Sequence, residues 1–137
     1  PEAFAEQLAY LMDNGYTTLP FGSRTRPAER PVVITFDDGY ADFHEHALPL
    51  LDRFGCTATV FVTTGWLHDA GPYAAGRPPG RMLTWRQAEE IAAAGVEIGA
   101  HGHSHAQLDQ LDLTDLREEL RLSRELLQDR LSRPVRT

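Results

Sequence analysis

Lysine is absent from this chain of 137 residues, and all thirteen basic residues are arginine. Against 20 Asp and Glu they leave a net charge of −7. That balance argues against nucleic acid, whose phosphates attract basic patches. It leaves neutral partners open, uncharged sugars among them. Cysteine is nearly absent too. Cys56 alone excludes an internal disulfide, and the apolar run that follows it marks it as a core thiol. No run of about eighteen apolar residues occurs, so no membrane span is expected. The N-terminus lacks a basic region followed by an apolar stretch, which argues against a signal peptide in this stretch. The chain opens on Pro1, inside a helical pattern and without Met, and an upstream segment is expected.

What remains suits one packed domain over residues 1–137: the length fits a single domain, and 42% hydrophobic residues can fill a core. Phe4, Leu8, Leu11 and Met12 share one face of a helix over 2–14, with Gly15 as its C-cap. Residues 20–31 read as a loop. Val32 to Phe36 reads as a buried strand ending at Asp37-Asp38-Gly39. A helix follows over Phe43–Phe54, capped by Asp42, ended by Gly55 and bent or shortened by Pro49. Thr57–Val62 is a second strand. Residues 65–83 hold four Gly and three Pro and read as a long loop, a length that usually signals function or mobility. Thr84 and Gln87 form a capping box for a helix that buries Trp85, Ala88, Ile91 and Ala92 and closes at Gly95. Val96–Ala100 is the third strand. Thr114 is expected to cap a last helix whose face carries Leu116, Leu120, Ser123 and Leu127, with Pro134 beyond its end.

Strands alternating with helices predict parallel βαβ units and an α/β fold. In such folds ligands gather at the carboxyl ends of the strands. Two chemistry-bearing segments sit there: Asp37-Asp38, and His101-Gly102-His103-Ser104-His105. Asp-Asp-Gly alone suits an ordinary turn, and a single His is more often structural than a ligand. Three His within five residues, in a chain with six, are unusual. In an extended strand four residues span about 13 Å, too far for His101 and His105 to share an ion. In a helical turn the rise is about 6 Å. A strand that curls after His101 therefore brings His101 and His105 together and turns His103 away. Two His and one Asp match the count of a catalytic zinc site. The second Asp stays free beside it: bound zinc lowers the pKa of water to about 7, and a nearby carboxylate can take the proton.

Thr35-Phe36-Asp37-Asp38-Gly39-Tyr40 and His101 to His105 resemble the first two motifs of the polysaccharide deacetylases, the NodB-homology domain of carbohydrate esterase family four. The strand Thr57-Ala58-Thr59-Val60-Phe61-Val62 between them is similar to the family pattern as well. The resemblance implies a distorted (β/α) barrel. It implies Asp37 as catalytic base, and Asp38, His101 and His105 as ligands of a divalent metal, zinc in most members and cobalt, manganese or nickel in others. It implies removal of N-acetyl groups from an N-acetylated polysaccharide, in an extracellular or cell-envelope setting. Tyr40, a candidate substrate contact, and the leading helix with Gly15-Tyr16 resemble the exopolysaccharide branch.

The chain departs from the family at Gly102, where Ser or Thr is usual, and at Ala106, where Pro is frequent. The hydroxyl that braces the histidine turn is then missing, and His103 and Ser104 are the replacements to consider. The family's third motif, its Asp-Trp segment and its Leu-x-His motif do not occur before Thr137. The expectation is a truncated barrel, the N-terminal part of a catalytic domain, with an edge open to self-association or to further chain. A sugar-binding or scaffold module without chemistry, and an amidase or esterase for a small acylated metabolite, are the competing functions. Trp66, Trp85, His68 and Asp69 are further candidates for sugar contact. His44, His46 and the acidic residues after Asp109 read as solvated.

Overall fold

In the computed structural model, residues 1–24 and 29–137 are described; the loop expected over 20–31 lies partly outside them, at 25–28. Helix α1 spans Glu2–Asp13 and strand β1 spans Thr17–Leu19. Strands β2 (Pro31–Val33) and β3 (Thr35–Phe36) follow. A π-helical turn at Phe43–Ala47 leads into α2 (Leu48–Phe54). Strand β4 is Thr59–Val62, α3 is Trp85–Ala93, β5 is Glu97–Ala100 and α4 is Leu113–Leu131. Gly15, Gly55 and Gly95 follow their helices with positive φ, as expected.

Strands β3, β4 and β5 form one parallel sheet in that order, and β1 pairs in parallel with β2. The register aligns Phe36 with Val60 and Val60 with Ile98. The expected α/β architecture of parallel strands and intervening helices is therefore present. Because the strands run the same way, their carboxyl ends share one rim, and Asp37, Thr63 and His101 each begin the segment that leaves it. Leu8, Leu51, Val60, Val62, Leu83, Ile91 and Leu127 are fully buried and draw every layer into one core. Helices α3 and α4 pack on β5 and on each other, and α1 packs on α2.

Several local expectations need correction. The run Val32–Phe36 is neither continuous nor buried. Ile34 interrupts it, giving its carbonyl to Thr59 N (2.9 Å), and residues 31–37 alternate between exposed and half-buried. One face of this run is therefore solvated, which period-two patterning with β-branched residues on both faces had concealed. β1 was not anticipated, since three residues show no period. Asp42 caps nothing: its backbone is already helical and its side chain makes no cap bond. Pro49 lies within a helical run over 41–54, and the π-helical turn just before it is the irregularity expected there. The last helix is capped by Asp112, whose Oδ1 accepts from Thr114 N (2.8 Å) and Asp115 N (2.9 Å). A carboxylate at that place also suits the helix dipole. The buried stripe of α4 is Ser123, Leu127 and Leu131, while Leu120 is exposed.

The opposite rim is tied to the segment after β1. Phe21 N donates to Thr59 Oγ1 (2.8 Å), and Gly22 N donates to Glu97 Oε2 (3.0 Å). Phe21 also meets Phe61 edge to face, with centroids 5.5 Å apart. The amino ends of β4 and β5 are thus bonded to that segment, while Asp37-Asp38 and His101 lie at the carboxyl rim. Among the described residues no helix is long and apolar enough to cross a membrane.

Candidate metal centre at the carboxyl rim

At the end of β3 the chain turns sharply. Asp38 takes φ +72°, and Gly39 N bonds back to the carbonyl of Asp37 (2.9 Å). A non-glycine residue in the left-handed region is uncommon, and such positions cluster at functional sites. Neighbours hold the turn: Asp38 O accepts from Thr63 N (3.1 Å) and Gly39 O from Leu83 N (2.9 Å). The turn gives the two carboxylates different surroundings. Asp37 is exposed, and Asp38 is half-buried.

The end of β5 turns as well. His101 N still bonds Val62 O (3.0 Å) in the ladder. Gly102 and His105 then take φ of +77° and +62°. The strand curls, and the two outer histidines come to one place. Asp38 Oδ1 lies 3.1 Å from His101 Nε2 and 3.1 Å from His105 Nε2. One ligand atom from each of the three residues falls within 4.8 Å of the others. Zinc at about 2.0–2.1 Å from tetrahedral ligands sets those ligands roughly 3.3 Å apart. The observed spacing and the one-carboxylate, two-imidazole donor set therefore fit a divalent ion. Asp38, His101 and His105 all retain some solvent exposure.

His103 points the other way. It is buried, and its Nδ1 lies 2.9 Å from Thr64 Oγ1. Two side chains take roles other than those expected from the sequence. Trp66 stacks on the His105 ring, with centroids 4.5 Å apart and planes at 17°. Glu119, assigned to a solvated helix face, instead accepts from the backbone of the histidine turn.

The remaining candidates are placed as follows. Tyr40 is half-buried beside Gly80 and bridges to Met82. Trp85 is in the core. Asp69 Oδ1 accepts from Trp85 N (2.8 Å), so it serves the start of α3. His68 and His46 are exposed. His44 is not simply solvated, because its Nε2 sits 2.9 Å from Glu90 Oε2.

Known proteins share this arrangement of elements. Residues 24–137 match the family described as polysaccharide deacetylase. The chain is 32% identical over 133 residues to YxkH of Bacillus subtilis, covering 90% of this chain and 43% of that protein. It is 30% identical over 115 residues to the poly-beta-1,6-N-acetyl-D-glucosamine N-deacetylase of Escherichia coli, covering 72% of this chain and 17% of that one. The deacetylase PplD of Streptococcus pyogenes, solved with acetate, superposes with a TM-score of 0.85 at 27% identity, over 98% of this chain and 59% of that one. The chain thus spans less than half the length of either sequence relative. Two strand-end motifs, a parallel sheet and a match from residue 24 to residue 137 agree: the chain belongs to the polysaccharide deacetylase family.

Proposed function

We propose that this chain takes part in metal-dependent removal of N-acetyl groups from an N-acetylated polysaccharide, outside the cell or in its envelope. The observation that carries the proposal is the convergence of His101 and His105 on a single oxygen of Asp38, 3.1 Å from each Nε2. In this reading Asp38, His101 and His105 hold the ion, and zinc is proposed because hydrolytic zinc sites use two imidazoles and a carboxylate. When bound, a divalent ion supplies Lewis acidity at an acyl carbonyl and at water. Asp37, the exposed neighbour, accepts the proton of the attacking water as general base. Tyr40 lies on the same turn and faces substrate. The net charge of −7 suits a neutral acetylated sugar better than an anionic polymer.

Metal content and acetate release test this reading. The full-length protein is expected to bind zinc stoichiometrically and to release acetate from an N-acetylated oligosaccharide. Asp38→Asn and His105→Ala lose zinc. Asp37→Asn keeps zinc and loses about 10²–10⁴ in rate. Full zinc content in both ligand variants sinks the site assignment. Sugar binding with no acetate release in the full-length protein favours a binding module instead.

A further inference from the structure

The family's usual hydroxyl is missing at Gly102, yet the histidine turn is braced. Glu119, from the second turn of α4, reaches it with one carboxylate. Oε1 lies 2.8 Å from His103 N, 2.6 Å from Ser104 N and 3.1 Å from Ser104 Oγ, and Oε2 lies 3.1 Å from the same hydroxyl. Three donors therefore converge on one anion, and hydrogen bonds to an ionised acceptor are roughly twice as strong as neutral ones. All three belong to the two residues that lie between Gly102 and His105. Gly102 fits this approach: at φ +77° a Cβ there would stand 3.0 Å from Glu119 Oε1. The other side of the turn is fixed independently, by Thr64 on the His103 ring (2.9 Å) and by Gly65 N on the His103 carbonyl (2.7 Å).

We infer that Glu119 is a positioning residue: through the backbone of residues 103 and 104 it holds the turn in the shape that aims His101 and His105 at Asp38. It touches neither imidazole. Outer partners that orient metal ligands typically contribute 10–100-fold in affinity, and a turn that holds the non-glycine His105 at φ +62° needs such over-determination to persist. The inference rests on the metal site proposed above.

Zinc titration of the full-length protein, with amide hydrogen exchange in the metal-free state, tests it. Glu119→Ala is expected to weaken zinc about 10–100-fold and to speed exchange at His103 and Ser104. Glu119→Gln, which keeps one carbonyl oxygen for the two N–H groups, falls between parent and Ala. Glu125→Ala, on the same helix but paired with Arg121, leaves both readouts at the parent value. If Glu119→Ala does not fold, Ser104→Ala and Glu119→Gln carry the test, each with a smaller loss of affinity. A folded Glu119→Ala protein with parental zinc affinity and parental exchange overturns the inference alone. A parent protein that takes up no zinc overturns the metal reading and the inference with it.

Discussion

Trp66 lies face to face with His105, their ring centroids 4.5 Å apart. The indole is buried and its Nε1 has no hydrogen-bond partner among the described residues, so the contact with His105 is made by its aromatic face. His105 stands at positive φ and half in solvent, and the indole packs against one face of its ring. Trp66→Phe preserves an aromatic face and removes the unpartnered donor; it should leave a smaller cavity and cost less than the Ala variant, and retain zinc binding. Trp66→Ala opens a cavity, should cost about 3–5 kcal/mol, and should weaken zinc. Chemical denaturation and zinc titration of the two variants check this. Equal losses of zinc affinity in both would show that stacking is irrelevant.

The contrast between His105 and its supports marks what a sequence reveals here. The strand-end motifs were legible because they are local: a β-rich run followed at once by Asp or His places a side chain on the rim. Rise per residue lets His101 and His105 meet only if the strand curls after His101, and the family resemblance points to the same pair. Glu119 was not legible, because its role depends on α4 folding back over a turn 15 or 16 residues earlier. Asp112 outranked Thr114 as cap because it precedes the first helical residue and reaches two N–H groups. Ile34 broke its strand because two different neighbours, β1 and β4, claim the two halves of one run. Tertiary partners decide such cases, and they are invisible to periodicity.

Gly102→Ala should be more disruptive than its small size suggests. The site needs φ +77° and meets Glu119 Oε1 at 3.0 Å. Gly15 offers the comparison: it has φ +72° with nothing within 4 Å of a Cβ. Gly15→Ala should therefore show only the backbone cost of about 1 kcal/mol. Gly102→Ala should exceed it, to about 2 kcal/mol, and should lower zinc affinity as well. Thermal melts of the two variants side by side, with zinc titration, decide the matter; equal melts and intact zinc affinity would refute the crowding argument.

Cys56 provides a pH-dependent signature. Burial pushes its thiol above the usual 9.0, outweighing a hydrogen bond with Thr18 that acts in the other direction. The folded state therefore favours the neutral thiol more than the unfolded chain does. That stability is fully present below the unfolded pKa and is lost as pH rises through the folded one. The melting temperature of the parent protein should fall above about pH 9, and Cys56→Ala should remove part of that slope. Iodoacetamide should label the native protein slowly at pH 8 and the urea-unfolded protein readily. Parallel slopes and equal labelling would count against a buried thiol.

Glu97 separates the stability of the sheet from the chemistry of its far rim. Its Oε2 accepts from Gly22 N (3.0 Å) and Thr59 Oγ1 (2.7 Å), and its Oε1 from Thr137 Oγ1 (3.4 Å). One carboxylate thus ties the segment after β1, the start of β4 and the end of the chain to the start of β5. Hydrogen bonds to a charged group contribute about 1.5–3 kcal/mol, less where water can replace the partner. Glu97→Ala should lower stability by roughly 1–3 kcal/mol on that basis. Its zinc affinity should stay at the parent value, because Glu97 begins β5 and His101 follows its end. A folded Glu97→Ala protein that loses zinc would mean that the two rims are coupled through β5, and would place part of the metal site's rigidity at the opposite end of the sheet.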